Sequence, residues 1–169
     1  AITALFICVV LGPWRIRKLA TLKVGQPIRE DGPNSHMAKK GTPTMGGILI
    51  IFASVLSTLL WANLTNHLIW LVVMVTVGFG IIGFMDDYQK LTAGNSKGIS
   101  ARKRLSLEFL IALFISIVLF IRPDFSSAVT LPFFKTILPN LGLAYILFST
   151  FVIVGSANAV NLTDGLDGL

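Results

Sequence analysis

Asp86 and Asp87 close an almost unbroken apolar run, in the stretch GFMDDYQK at residues 83–90. Two adjacent carboxylates repel, and partial burial at a membrane boundary adds to the cost. If a helix ends here, its negative pole disfavours each by a few tenths to ~1 kcal/mol. Something positive must compensate. Lys90, at i+4 from Asp86 and i+3 from Asp87, is the simple candidate. A divalent cation or a cradle for a cationic substrate is the sharper one. Neighbouring residues diverge by ~100° around a helix, so the two carboxylates have different jobs, one facing a site and one orienting or balancing it.

Two other stretches could carry chemistry. KKGTPTMGG, residues 39–47, leads into a second apolar run. A helix start there offers free N–H groups and a positive pole beside Lys39 and Lys40, which is an anion site or simply an N-terminal signal with topogenic lysines. The glycine spacing is not that of a phosphate-binding P-loop. NAVNLTDGLDGL, residues 158–169, holds Asn161, Asp164 and Asp167 at three-residue spacing. If helical, the three share a face and could hydrogen-bond a polar ligand; otherwise the Asp-Gly pairs are turns. His36 and His67 stand alone in loops without metal-ligand spacing, and Cys8 is a packing residue in an apolar run.

The elements that position these residues follow from composition. Of 169 residues, 54% are hydrophobic and 13% charged. A soluble domain carries roughly a quarter charged residues, so the class is an integral membrane protein. The backbone must satisfy itself in lipid, so the fold class is all-α and polytopic. Apolar run lengths predict about five transmembrane helices: residues 1–11 (partial), 45–62, 68–85, 105–121 and 141–160. They form one membrane domain, 1–169, reading as a fragment cut at both ends.

Loops 12–44 and 86–104 carry 12 of the 14 basic residues. With five crossings they share one side, and the positive-inside rule makes it cytoplasmic. The three unusual stretches then fall on that face. Topology explains the basic loops, so nucleic acid is not a partner.

GTPTMGG, GFMDDYQK and NAVNLTDGLDGL, in this order and at these helix ends, resemble the bacterial phospho-N-acetylmuramoyl-pentapeptide transferases, the MraY translocases of the polyprenyl-phosphate sugar-1-phosphate transferase superfamily. GQPIREDGPNSHMAKK, just upstream of the first motif, resembles the family's first cytoplasmic loop. The resemblance runs over nearly the whole chain. It implies a multi-pass enzyme of about ten helices in the bacterial inner membrane, with its active site on the cytoplasmic face. Such enzymes transfer phospho-MurNAc-pentapeptide from UDP-MurNAc-pentapeptide to undecaprenyl phosphate, giving lipid I and UMP, with Mg²⁺ as cofactor. By resemblance Asp86 and Asp87 match the catalytic acidic pair, and they are the candidate metal ligands. Lys39 and Thr44 match positions near the nucleotide site, Lys90 falls with the substrate-binding groups, and Asn161, Asp164 and Asp167 match the polar lining of the cleft. The oligomeric state stays open, a homodimer included.

The family also has a further catalytic Asp and a His-rich motif in its C-terminal half. This chain stops at Leu169, before either, so the stretch alone is expected to be inactive. A sister enzyme that transfers GlcNAc-phosphate to a polyprenyl phosphate shares the acidic pair; KKGTPTMGG and NLTDGLDGL favour the muramyl branch. A transporter is the more distant alternative, disfavoured because the acidic residues gather at one face and no helix breaks at the midplane.

Overall fold

The computed structural model describes residues 1–21, 45–93, 98–130 and 138–163. Among the described residues there are five α-helices and no β-strand: α1 Ile2–Thr21, α2 Gly47–Trp61, α3 His67–Ala93, α4 Ala101–Phe120 and α5 Ala144–Thr163. They fall into two compact units, Ala1–Ala101 and Arg102–Leu169.

In the first unit, α2 and α3 form an antiparallel hairpin. Its turn is built by two asparagines. Asn63 Oδ1 accepts from the N–H and hydroxyl of Thr65, at 3.1 and 2.7 Å. Asn66 caps α3 by accepting the Leu68 N–H at 3.0 Å. Trp70 donates its indole N–H to the Leu64 carbonyl, and Trp61 donates to Thr3 Oγ1 on α1, each at 3.0 Å. Both indoles thus meet partners at the end of the hairpin where interfacial aromatics belong. The short turn puts the start of α2 and the last turns of α3 at the opposite, shared end. The helices pass closely at Gly80, where an added Cβ would lie 2.5 Å from Ile51 Cδ1.

The second unit holds α4 and α5. Between them, Thr150 Oγ1 and Ser116 Oγ pair at 3.2 Å, and the Phe109 and Phe151 rings meet edge to face at 5.4 Å. The connection between them carries one isolated antiparallel bridge, Ala128 with Asn140, flanked by bonds from Val129 N–H to Pro139 and from Leu141 N–H to Ser127.

α3 and residues Ala144–Asn161 of α5 have the length and hydropathy of a membrane span. α2, at 15 residues, is ~22 Å long, short of a ~30 Å hydrocarbon core.

Helix ends differ from the apolar run ends. α1 continues past residue 11 to Thr21 with Pro13 inside it. A proline removes one helical hydrogen bond, a loss that apolar helices tolerate when neighbouring groups compensate. Beyond it Arg17 Nε donates to the Pro13 carbonyl at 3.2 Å, and the Lys18 ammonium sits 5.0 Å from the Trp14 ring centre. α3 runs to Ala93 instead of stopping at residue 85, and α4 begins at Ala101 instead of 105. Much of the stretch read as loop 86–104 is therefore helix. Apolar run length measures the lipid-compatible part of a helix, and polar turns that continue it leave no apolar signal.

Candidate active site

The site begins with that extension of α3. Asp86 lies seven residues before Ala93, two turns inside the helix. The macrodipole acts only within the last turn, so the expected penalty at a helix end does not apply. The carboxylate is instead held by contacts. Asp86 is buried, at 7% exposure. Its Oδ1 accepts the backbone N–H of Ile99 at 2.8 Å, and its Oδ2 lies 2.5 Å from Lys90 Nζ. Lys90 Nζ is also 3.8 Å from Asp87 Oδ1, so one ammonium faces two carboxylates. The formal charge of the three together is −1.

The close approach of the chain after α3 depends on Gly98. A Cβ there would overlap Asp86 Oδ1 and lie 2.7 Å from Asp86 Cγ and 2.8 Å from Lys90 Cε. Asp86 thereby ties the return of the chain at 98–99 to the last turns of α3. Asp87, one residue on, is half-buried with about a third of its side chain exposed. Tyr88 is exposed and stacks on Phe84 with ring centres 6.0 Å apart.

The donor chemistry suits a hard divalent cation. Mg²⁺ is commonly bound through one or two carboxylates, with waters and substrate phosphate oxygens filling the rest of its shell. Asp86 is buried with both oxygens engaged by protein groups, whereas Asp87 keeps about a third of its side chain open to solvent. The pair fits as a partial ligand set with Asp87 as the more available member. Among the described residues no three His, Cys, Asp or Glu side chains gather as a complete metal site.

Asp86, Asp87 and Lys90 are the expected site residues that the structure brings together. Asn161 stands exposed on the last turn of α5, in the second unit. Lys39, Thr44, Asp164 and Asp167 lie outside the described residues. Met45, at the start of α2, has φ 69°, a left-handed conformation costly for a side chain of this kind.

Sequence reasoning missed two participants here, Gly98 and Ile99, and one buried carboxylate of the second unit, Glu108. Gly98 and Ile99 act through backbone and carry no signal of their own. Glu108 did carry one, as a carboxylate inside the apolar run LSLEFLIALF. It is 2% exposed, accepts Arg104 Nε at 2.9 Å, and accepts the Asn158 amide from α5.

Comparisons with known proteins bear on these same segments. The sequence model of glycosyl transferase family 4 matches residues 69–169, which include Asp86, Asp87, Lys90 and Glu108. The phospho-N-acetylmuramoyl-pentapeptide-transferase signature 1 matches residues 39–51, which include Lys39 and Thr44. A phospho-N-acetylmuramoyl-pentapeptide-transferase of Syntrophus aciditrophicus is 65% identical over 169 residues, covering 100% of this chain and 47% of the relative. Proteins of the same name from Pelobacter propionicus and a Geobacter species are 54% and 53% identical, each covering 99% of this chain and 47% of the relative. The chain spans about half the length of the curated relatives it matches.

Proposed function

This chain belongs to glycosyl transferase family 4, and on that premise we propose that it carries the acidic pair of a membrane phosphoglycosyl transferase. The reaction is transfer of phospho-MurNAc-pentapeptide from its UDP carrier to undecaprenyl phosphate, giving lipid I and UMP. The observation that carries this reading is the Asp86–Lys90–Asp87 cluster, fastened to Ile99, at the polar end of an apolar helix. The match to signature 1 at residues 39–51 supports the muramyl donor.

With five crossings, the short α2 being accommodated by local thinning of the bilayer, the two basic stretches lie on the cytoplasmic side. A lipid phosphate and a cytosolic nucleotide can meet only at that face. An oxygen of the lipid phosphate forms a bond to the sugar-bearing phosphorus, and the bond from that phosphorus to the UMP oxygen breaks. Nucleophile and target are both anions, so the main task is positioning and charge neutralisation.

Asp86 is the orienting carboxylate, since its oxygens already serve Ile99 and Lys90. Lys90 is held in place by it and presents positive charge to phosphate oxygens. Asp87 faces the substrates and, with diphosphate oxygens, would hold Mg²⁺, which stabilises negative charge on the leaving phosphate. Lys39 and Thr44 serve the nucleotide end of the donor. Asn161, Asp164 and Asp167 serve as polar groups for substrate binding.

The test is an assay of the whole protein in membranes, offering UDP-MurNAc-pentapeptide and UDP-GlcNAc in parallel to undecaprenyl phosphate. Mg²⁺-dependent release of UMP with the muramyl donor alone is the expected result. Turnover with UDP-GlcNAc alone would move the protein to the sister branch, and turnover with neither would sink the proposal.

A further inference from the structure

Glu108 is the most buried charged side chain among the described residues, and the reaction does not use it. A carboxylate in the apolar part of a helix is expensive unless it is paired and hydrogen-bonded. Here both requirements are met from two directions. Arg104, one turn earlier on α4, supplies the opposite charge to Oε1 at 2.9 Å. Asn158 of α5 donates Nδ2 to Oε2, and also to its own helix at the Val154 carbonyl, 2.9 Å away.

This contact belongs to a register. Glu108 meets Asn158 and Ser116 meets Thr150. Ala112 and Val154, one turn along from each pair, are both buried. Steps of four up α4 match steps of four down α5, as antiparallel helices require. A slip of one turn, or a rotation of α5 by one residue, breaks the polar pairs together and leaves Glu108 Oε2 without its donor from α5. Asn161 follows Asn158 by three residues, ~60° around the helix, and is exposed. The rotation that Asn158 fixes is therefore the rotation that aims Asn161.

We propose that Glu108 is a positioning residue, which through Asn158 sets the depth and rotation of α5 and so presents Asn161 to the nucleotide-diphosphate donor. This rests on the function proposed above. It concerns neither the acidic pair nor the metal.

The test uses the whole protein purified in detergent, as wild type, Glu108→Gln, Asn158→Asp, Asn158→Ala and the swap Glu108→Gln/Asn158→Asp. Asn158→Asp sets two carboxylates against each other and lowers the unfolding midpoint. The swap turns the bond around, with an amide on α4 donating to a carboxylate on α5, and recovers most of that loss. Asn158→Ala removes the donor without adding charge and carries the kinetic arm. Its KM for the nucleotide donor rises about tenfold, the scale of one lost hydrogen bond to a charged group, while KM for the lipid phosphate stays within about threefold.

A swap no more stable than Asn158→Asp overturns the pairing. Asn158→Ala with both KM values unchanged overturns the positioning role and leaves a packing contact. Wild-type protein without transfer activity would remove the proposed function, and the positioning role with it. The unfolding midpoints would still report on the pairing, so the two failures are distinguishable.

Discussion

Asp86 Oδ1 accepts the backbone N–H of Ile99 at 2.8 Å, across thirteen residues of chain. This bond links the last turns of a membrane-length helix to the segment that leads into α4. A carboxylate used in this way is engaged before any substrate arrives. Its neighbour Asp87, with about a third of its side chain exposed, is the more accessible of the two to a substrate.

The two carboxylates should separate by experiment. Asp87→Asn should lower turnover by ~10²–10⁴-fold, the range for a catalytic carboxylate, with a smaller change in unfolding midpoint than Asp86→Asn. Its apparent Mg²⁺ requirement should rise. Asp86→Asn should lower both turnover and the midpoint. Mg²⁺ titrations and thermal unfolding of the whole protein check this; the reverse pattern would exchange the roles.

Gly98→Ala tests the close approach. The added methyl would overlap Asp86, so the carboxylate or the backbone must move, at a cost of ~1–3 kcal/mol for an overpacked site. Turnover should fall along with the unfolding midpoint. A Gly98→Ala protein with unchanged stability and turnover would show that the chain does not pass so near Asp86.

Lys90 and Asp86 should be energetically coupled. Lys90→Met leaves a buried carboxylate without its cation, a loss of ~3–5 kcal/mol for full burial and roughly 1–3 with the ammonium about a quarter exposed. Adding Asp86→Asn to Lys90→Met should cost much less than it does alone, because residues in contact are not additive. Additive losses in a double-mutant cycle of unfolding free energies would mean that the pair is not formed.

The extension of α3 to Ala93 predicts a helical period of accessibility. Single cysteines at 88, 89 and 92, which are exposed, should react quickly with a polar thiol reagent in a Cys8→Ala background. Cysteines at 86 and 90 should react slowly. Uniform reactivity across 86–93 would restore the reading of this stretch as a loop.

Much of this protein was legible in residue types and spacing. Apolar runs located the helices, because a backbone in lipid has few alternatives. The Asp86–Asp87 pair and Lys90 were legible because charge is rare and costly beside such runs, and i,i+4 spacing fixes neighbours within one helix. Glu108 could have been found by the same logic, as a lone carboxylate in an apolar run with Arg104 one turn away. Helix ends were not legible where polar turns continue a helix, as in Asp86–Ala93 and Ala101–Arg104.

The tertiary structure alone decided which carboxylate is buried. Nothing in GFMDDYQK distinguishes Asp86 from Asp87; the distinction comes from Ile99 N–H, a backbone group whose sequence carries no mark of its use. It alone decided that Gly98 stands where a side chain has no room. It also paired Glu108 with Asn158, fifty residues away, across two helices whose relative rotation no local pattern sets. Local spacing fixes what one helix can do along its own length. Contacts between distant segments depend on how packed helices and returning loops meet, and that is settled only when the chain folds.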